Sequence, residues 1–243
     1  MLQPMNAQQD TAPLDVAMVK AISLDLDDTL WPVWPTIRKA EAALLEWMHA
    51  TVPATAAHWG AEGVAQTIRE QIKAEHLDYA HDFTFLRTQM IARALTQAGD
   101  DPALAAQGFE VFITTRQQVE LYPEVEAALD ALAARYRLIA VSNGNANVLQ
   151  MPIGRFFSAN LPAREAGVAK PHARIFNLAA ERLGLANGAV VHVGDDTELD
   201  VLGAQQAGMQ AVWLNRAQQP WNHAHPEPLQ ISNLQGLCKI LGV

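Results

Sequence analysis

The chain has 243 residues, 50% of them apolar and 18% charged, enough for a large buried core in one domain or in a domain with a sizeable insert. Its 17 Lys and Arg against 26 Asp and Glu give a net charge of -9, which argues against nucleic-acid and membrane-surface partners, because both need a cationic footprint. The single cysteine, Cys238, rules out an internal disulfide and a cysteine-built zinc site, and no apolar run approaches the roughly 20 residues of a membrane span, so a cytoplasmic protein is expected.

Residues 1–17 are polar, carry no apolar signal region and are expected to be a mobile tail. Residues 21–25 form the first of four short apolar, β-branched runs; the others are 137–142, 189–194 and 209–214. Runs of this kind read as parallel strands buried on both faces. Helical patterns precede the last three, over 123–134, 171–183 and 198–207. The alternation predicts an α/β fold, a doubly wound, Rossmann-like parallel sheet built from 18–35 and 120–243. Between these parts, 36–119 offers amphipathic helical stretches at 36–48, 62–75, 83–98 and 104–119 and no convincing strand. It is too long for a βα loop and too regular for disorder, so an inserted helical cap is expected. Residues 218–228 read as an exposed loop, and its His223 and His225 as surface residues without a ligand partner in register.

Ligands of open α/β sheets bind beyond the carboxyl ends of the strands, and the chemistry-bearing residues fall there. The first run ends in Asp25-Leu26-Asp27-Asp28-Thr29-Leu30. Residues two apart in extended chain point the same way, about 6.6 Å apart, so Asp25 and Asp27 could face one substrate, one attacking and the other moving a proton. Turns and helix caps use the same residue types. The second run ends in Val141-Ser142-Asn143-Gly144-Asn145, where a hydroxyl and free N–H groups suit an anion, although Ser142 also suits an N-cap. Lys170 precedes Pro171, read as the first residue of a helix; a cation there opposes the helix dipole, which implies a nearby anion. The third run ends in Gly194-Asp195-Asp196-Thr197-Glu198-Leu199-Asp200. The Asp pair suits a hard divalent cation, while Thr197 through Asp200 fits a capping box that leaves the role of Asp200 open. Carboxylates converging from several strands would repel one another, and a bound cation together with Lys170 would resolve that repulsion.

In this order the four elements resemble the haloacid dehalogenase superfamily of phosphohydrolases, from about Met18 to the C-terminus. The resemblance implies Asp25 as nucleophile, forming an aspartyl phosphate, and Asp27 as the acid and base. It implies Ser142, Asn143 and Lys170 as phosphate-binding residues, and Asp25, the Asp27 carbonyl and Asp195 as ligands of Mg²⁺. Asp196 and Asp200 would support the metal or Lys170. The insert resembles the superfamily's first type of helical cap, which closes over the cleft and selects the leaving group. The wider pattern is similar to the bacterial branch acting on FMN and on the phosphorylated ribitylamino-pyrimidine of riboflavin synthesis, so the expected partner is a small phosphorylated metabolite. A flat substrate would want an aromatic platform, and Trp31 and Trp34, directly after the first motif, are the candidate contacts. The alternatives are a sugar-phosphate phosphatase or mutase, a phosphonate-cleaving enzyme using Lys39 or Lys73, a dehalogenase that would leave Asp27 without a task, and a receiver-like phospho-aspartate switch.

Overall fold

The computed structural model describes residues 14–243. The tail expected over 1–17 therefore lies mostly outside the described residues. Within them, Leu14 packs against the core and the Asp15 N–H donates to Gln210 Oε1 at 2.7 Å.

Six parallel strands form one sheet in the order β3-β2-β1-β4-β5-β6. They are β1 (Ala21–Leu24), β2 (Arg137–Ser142), β3 (Phe157–Pro162), β4 (Val190–Gly194), β5 (Gln210–Leu214) and β6 (Leu229–Ile231). The two-residue side-chain period sorts the central strands between two cores. Ile22, Leu24, Leu138, Ala140, Val191 and Val193 enter one cluster, while Ala21, Ile139, Val141 and Val190 enter the other. Both faces are covered, and the result is the doubly wound α/β architecture expected from the alternation. β3 and β6 were not expected: each is an edge strand, one carrying Ser158, Asn160 and Pro162 and the other only three residues long, so neither shows a continuous apolar run.

After β1, five helices follow in succession: α1 (Val33–Thr51), α2 (Pro53–Trp59), α3 (Val64–Glu75), α4 (Phe83–Ala98) and α5 (Ala105–Arg116). Ala40, Leu44 and Met48, spaced four apart along α1, meet Ile91, Leu95 and Phe112 in a core of their own. The short α2 escapes the sequence pattern because it has only seven residues behind an N-terminal proline. The chain then continues through α6 (Val125–Ala133), α7 (Ala163–Ala166), α8 (Ala173–Leu183), α9 (Gly203–Gln206) and α10 (Leu234–Leu241). No helix among the described residues is long and apolar enough to cross a membrane.

Three local expectations are corrected. Lys170-Pro171 does not open α8; the helix starts at Ala173, and His172 caps it by accepting from the Arg174 N–H at 3.1 Å. Thr197 is not the cap of the following turn. Asp196 is, its Oδ1 accepting from Glu198 and Leu199 at 2.8 Å each, and the turn at Thr197–Leu202 is a π-helical one. Ser142 caps no helix; its Oγ accepts from the Gly144 N–H at 2.9 Å in a side-chain turn.

Candidate active site

The carboxyl ends of β1, β2 and β4 meet at one edge of the sheet, and four buried or half-buried ionisable groups converge there. Lys170 Nζ lies 2.5 Å from Asp25 Oδ1 and 2.5 Å from Asp200 Oδ1, with the lysine side chain 3% exposed. Thr29 Oγ1 lies 3.0 Å from Asp195 Oδ1 and 3.3 Å from Asp25 Oδ2. One ligating oxygen from each of Asp25, Asp195 and Asp200 can be chosen so that all lie within 4.8 Å of one another.

Glycine 194 lets Asp200 into this cluster: a Cβ there would stand 2.2 Å from Asp200 Cγ. Asp200 is then saturated. Its Oδ1 accepts from Lys170 and faces His192 Nε2 at 3.1 Å, and its Oδ2 accepts from the Asp196 N–H at 3.1 Å. Among the described residues, Asp195 Oδ2 has no hydrogen-bond partner, and Asp25 Oδ2 has only the long contact with the Thr29 hydroxyl, so these oxygens keep lone pairs to spare.

The electrostatics follow from packing three carboxylates around one ammonium. Burial, opposed by Lys170 and reinforced by Asp200 and Asp195, pushes the Asp25 carboxyl well above its usual range. Burial and then the charge of Asp200 push Asp195 up to about 7. Asp200 goes the other way, since Lys170 and the His192 hydrogen bond outweigh its burial. Burial works against the charged form of Lys170, yet Asp200 and Asp25 hold it above its ordinary value. A divalent cation fits this donor set: hard oxygen ligands, two of them with free lone pairs, and an excess of negative charge that one ammonium does not cancel.

Asp27 stands beside the cluster on the wall of a cavity of about 390 Å³. Trp31 Nε1 donates to its Oδ1 at 2.8 Å, and Arg116 Nη2 reaches Oδ1 and Oδ2 at 2.5 and 2.7 Å. Ser142, Asn143, Lys170, Asp195 and Asp196 line the same cavity, so all the motif residues singled out in the sequence reach one space. The opposite wall comes from the helices: Trp34 and Ile37 of α1, Ile72 of α3, Leu86 and Met90 of α4, and Phe112 of α5.

The matching family model describes a haloacid dehalogenase-like hydrolase and covers residues 19–208. This chain belongs to the haloacid dehalogenase-like hydrolases. It is 30% identical to the 5-amino-6-(5-phospho-D-ribitylamino)uracil phosphatase YigB of Escherichia coli K12, over 92% of this chain and 96% of the relative. It is 29% identical to a phosphoserine phosphatase of Thermus thermophilus, over 89% and 97% of the two chains. Among solved structures, a 2-haloacid dehalogenase from Pseudomonas syringae superposes with a TM-score of 0.85 at 36% identity, covering 92% of this chain and 98% of that one.

Within the hydrolase site, two expected contacts change character. Trp31 is fully buried in the sheet core, so it offers no platform to a substrate; its indole N–H orients Asp27 instead. The Asn143 amide is committed to the main chain of Lys170, donating to its carbonyl at 3.0 Å and accepting from its N–H at 2.7 Å. Asn143 thus positions Lys170, and its second amide N–H and its backbone are left for a phosphate. Trp34 is 64% exposed and lines the cavity wall. Asp28 adopts φ 57° and accepts from the Val33 N–H at 2.9 Å, so the third acid of the first motif is a turn residue that starts α1.

Sequence reasoning missed two residues. His192 reads as packing, yet it bridges Ser23 Oγ at 2.8 Å and Asp200; the available signal was a polar residue in each of two buried strands, paired in register as Ser23 and His192. Arg116 gave no signal at all, because a basic residue in the last turn of a helix is ordinary dipole chemistry.

Proposed function

We propose that this hydrolase cleaves phosphomonoesters through an aspartyl phosphate on Asp25, with Mg²⁺ as cofactor and the helices α1 to α5 acting as a cap. One observation carries the reading: Lys170 bridges Asp25 and Asp200 while Asp195 stands within ligating distance of both, at the edge of a cavity that also contains a second, separately held carboxylate, Asp27.

Mg²⁺, held by Asp25, Asp195 and the Asp27 carbonyl, would supply the positive charge that lets an anionic carboxylate approach an anionic phosphoryl group. Lys170 and the free hydroxyl proton of Ser142 neutralise and orient the equatorial oxygens. An Asp25 oxygen then bonds to phosphorus as the ester P–O bond breaks. The electron pair leaves on the alcohol oxygen, and Asp27 delivers a proton to it. In the second half, Asp27, now a carboxylate, takes a proton from water; the hydroxyl oxygen bonds to phosphorus, and Asp25 departs as a free carboxylate with inorganic phosphate.

The substrate is a small cytoplasmic phosphorylated metabolite, and the phosphorylated riboflavin precursor or FMN leads the list. The likeness to YigB supports this, as does an apolar cavity wall with Trp34 at hand for a flat ring. A dehalogenase reading has the Pseudomonas syringae relative in its favour. It leaves Asp27 idle, because a halide departs without a proton.

Phosphate release from FMN and a panel of sugar phosphates, with Mg²⁺ and with chelator, tests the reading, alongside chloride release from 2-chloropropionate. Metal-dependent phosphate release supports it. Chloride release without phosphate release overturns it.

A further inference from the structure

Resting on the phosphatase reading, we propose that Arg116 is the positioning residue for the leaving-group acid, and that it ties the proton transfer to the point where the helices rejoin the sheet. Arg116 is the last residue of α5, and its side chain is 1% exposed. A buried guanidinium needs a partner, and the partner is Asp27.

The way the pair is made separates it from a scaffold contact. An arginine that clamps two parts of a protein usually forms a two-nitrogen fork on the carboxylate and spends its other N–H groups on carbonyls. Arg116 reaches both Asp27 oxygens with the single nitrogen Nη2, while Nε and Nη1 are buried without a hydrogen-bond partner. Its one engaged nitrogen therefore serves a cavity-wall carboxylate that is itself 22% exposed. Trp31 fixes Oδ1, and Gly144 leaves the space that Oδ2 occupies, since a Cβ there would stand 2.8 Å from it. Two neighbours thus hold the carboxylate, and Arg116 is the one that comes from the helices. Without it, Asp27 is free to turn from the leaving oxygen, and the loss scales with how much that oxygen needs a proton.

The test uses full-length protein with Mg²⁺ and two substrates that differ in that need. Nitrophenolate leaves p-nitrophenyl phosphate without protonation, whereas the alkyl oxygen of FMN, or of ribose 5-phosphate should FMN be poor, does not. Arg116→Lys should lower kcat on the alkyl ester about tenfold or more beyond its effect on p-nitrophenyl phosphate, with KM within about twofold, matching the pattern of Asp27→Asn. Equal losses on both substrates, or a loss confined to KM, overturn the assignment. Arg116→Gln, read the same way, substitutes if the lysine variant does not fold. Hydrolysis that persists in Asp25→Asn sinks the aspartyl-phosphate step, and a parent protein that releases no phosphate sinks the phosphatase reading itself; both are distinct from equal losses in the arginine variants.

Discussion

The two walls of the cavity are built by different rules. On the sheet side, strand register brings Asp25, Ser142 and Asp195 to one edge, and a neighbouring loop and the π-helical turn add Lys170 and Asp200, so the polar atoms are placed within hydrogen-bond distance by paired backbone. On the helical side, Ile72, Leu86 and Met90 share the surface with Arg87, which is held by Glu41 at 3.2 Å and stacks over Phe112 at 4.2 Å. No ladder fixes these side chains; helix packing does. Rigid chemistry on one wall and adjustable shape on the other suit an enzyme whose reaction stays the same while its leaving group varies. The contrast implies that changes on the sheet wall stop turnover and changes on the helical wall redirect it.

The largest effect should come from Asp25→Asn. The fold should be kept, because Asn143 still holds Lys170 by its main chain and Asp200 still pairs with its ammonium. Phosphate release should fall by about 10⁴-fold or more, since an amide is a far poorer nucleophile than a carboxylate. Undiminished release under steady-state assay would break the comparison at its foundation.

Lys170→Met should act on stability as well as on rate. It removes the one cation shared by two buried carboxylates, and breaking a buried pair from one side costs about 3–5 kcal/mol. For a chain of this size that corresponds to a fall in Tm of roughly 10 °C, readable by thermal denaturation monitored by circular dichroism. An unchanged Tm would show that the cluster is not under the electrostatic tension that its packing implies.

Asp195 sharpens the same point through pH. Its folded carboxyl sits at about 7 against an ordinary value of 3.8, so the folded state holds a proton that the unfolded state has lost. Its contribution to metal-free stability is therefore present below about 3.8 and disappears as pH rises through about 7. Asp25, also raised, acts in the same direction, whereas His192, whose burial depresses it, makes stability fall as pH drops below its unfolded value. The Tm difference between Asp195→Asn and the wild type isolates the Asp195 share: the variant should gain on the parent as pH climbs from 4 to 7, and Mg²⁺ should stabilise only the parent appreciably. A pH-independent difference would contradict the assignment.

The walls also differed in how far the sequence revealed them. The four inner strands and the acids at their ends were legible because a strand buried on both faces admits few residue types, so Asp25 and Asp195 stand out at the points where apolar runs stop. His192 lay within such a run and was hidden by it. β3 and β6 were hidden for the opposite reason, since an edge strand carries no run. On the helical wall, apolar periodicity marked α1, α3, α4 and α5 but did not separate residues that fill the helical core from those that face the cavity. Leu44 and Trp34 illustrate this: both lie on α1, yet one is buried in the helical core and the other is 64% exposed on the cavity wall.

Gly144→Ala tests the boundary between the walls at smaller cost. A methyl group 2.8 Å from Asp27 Oδ2 and 3.3 Å from Ser142 Oγ forces the carboxylate to yield while leaving the backbone at ordinary φ. A loss of kcat of about tenfold, with little change in Tm, is expected, because displacement of a general acid by a fraction of an ångström weakens proton transfer without unfolding anything. Should Tm fall steeply instead, the glycine serves packing more than geometry.

The smallest effect belongs to Trp34→Ala. Trp34 is 64% exposed, so its removal takes little from the core, and it stands on the helical wall of the cavity. An aromatic contact with a flat leaving group contributes about 1 kcal/mol, which corresponds to a rise in KM of roughly fivefold on FMN with kcat unchanged. On ribose 5-phosphate, which has no ring system to stack, KM should not move. A fall in kcat on both substrates would place Trp34 with the catalytic wall, and the division between fixed chemistry and adjustable recognition would then run through α1 instead of between the sheet and the helices.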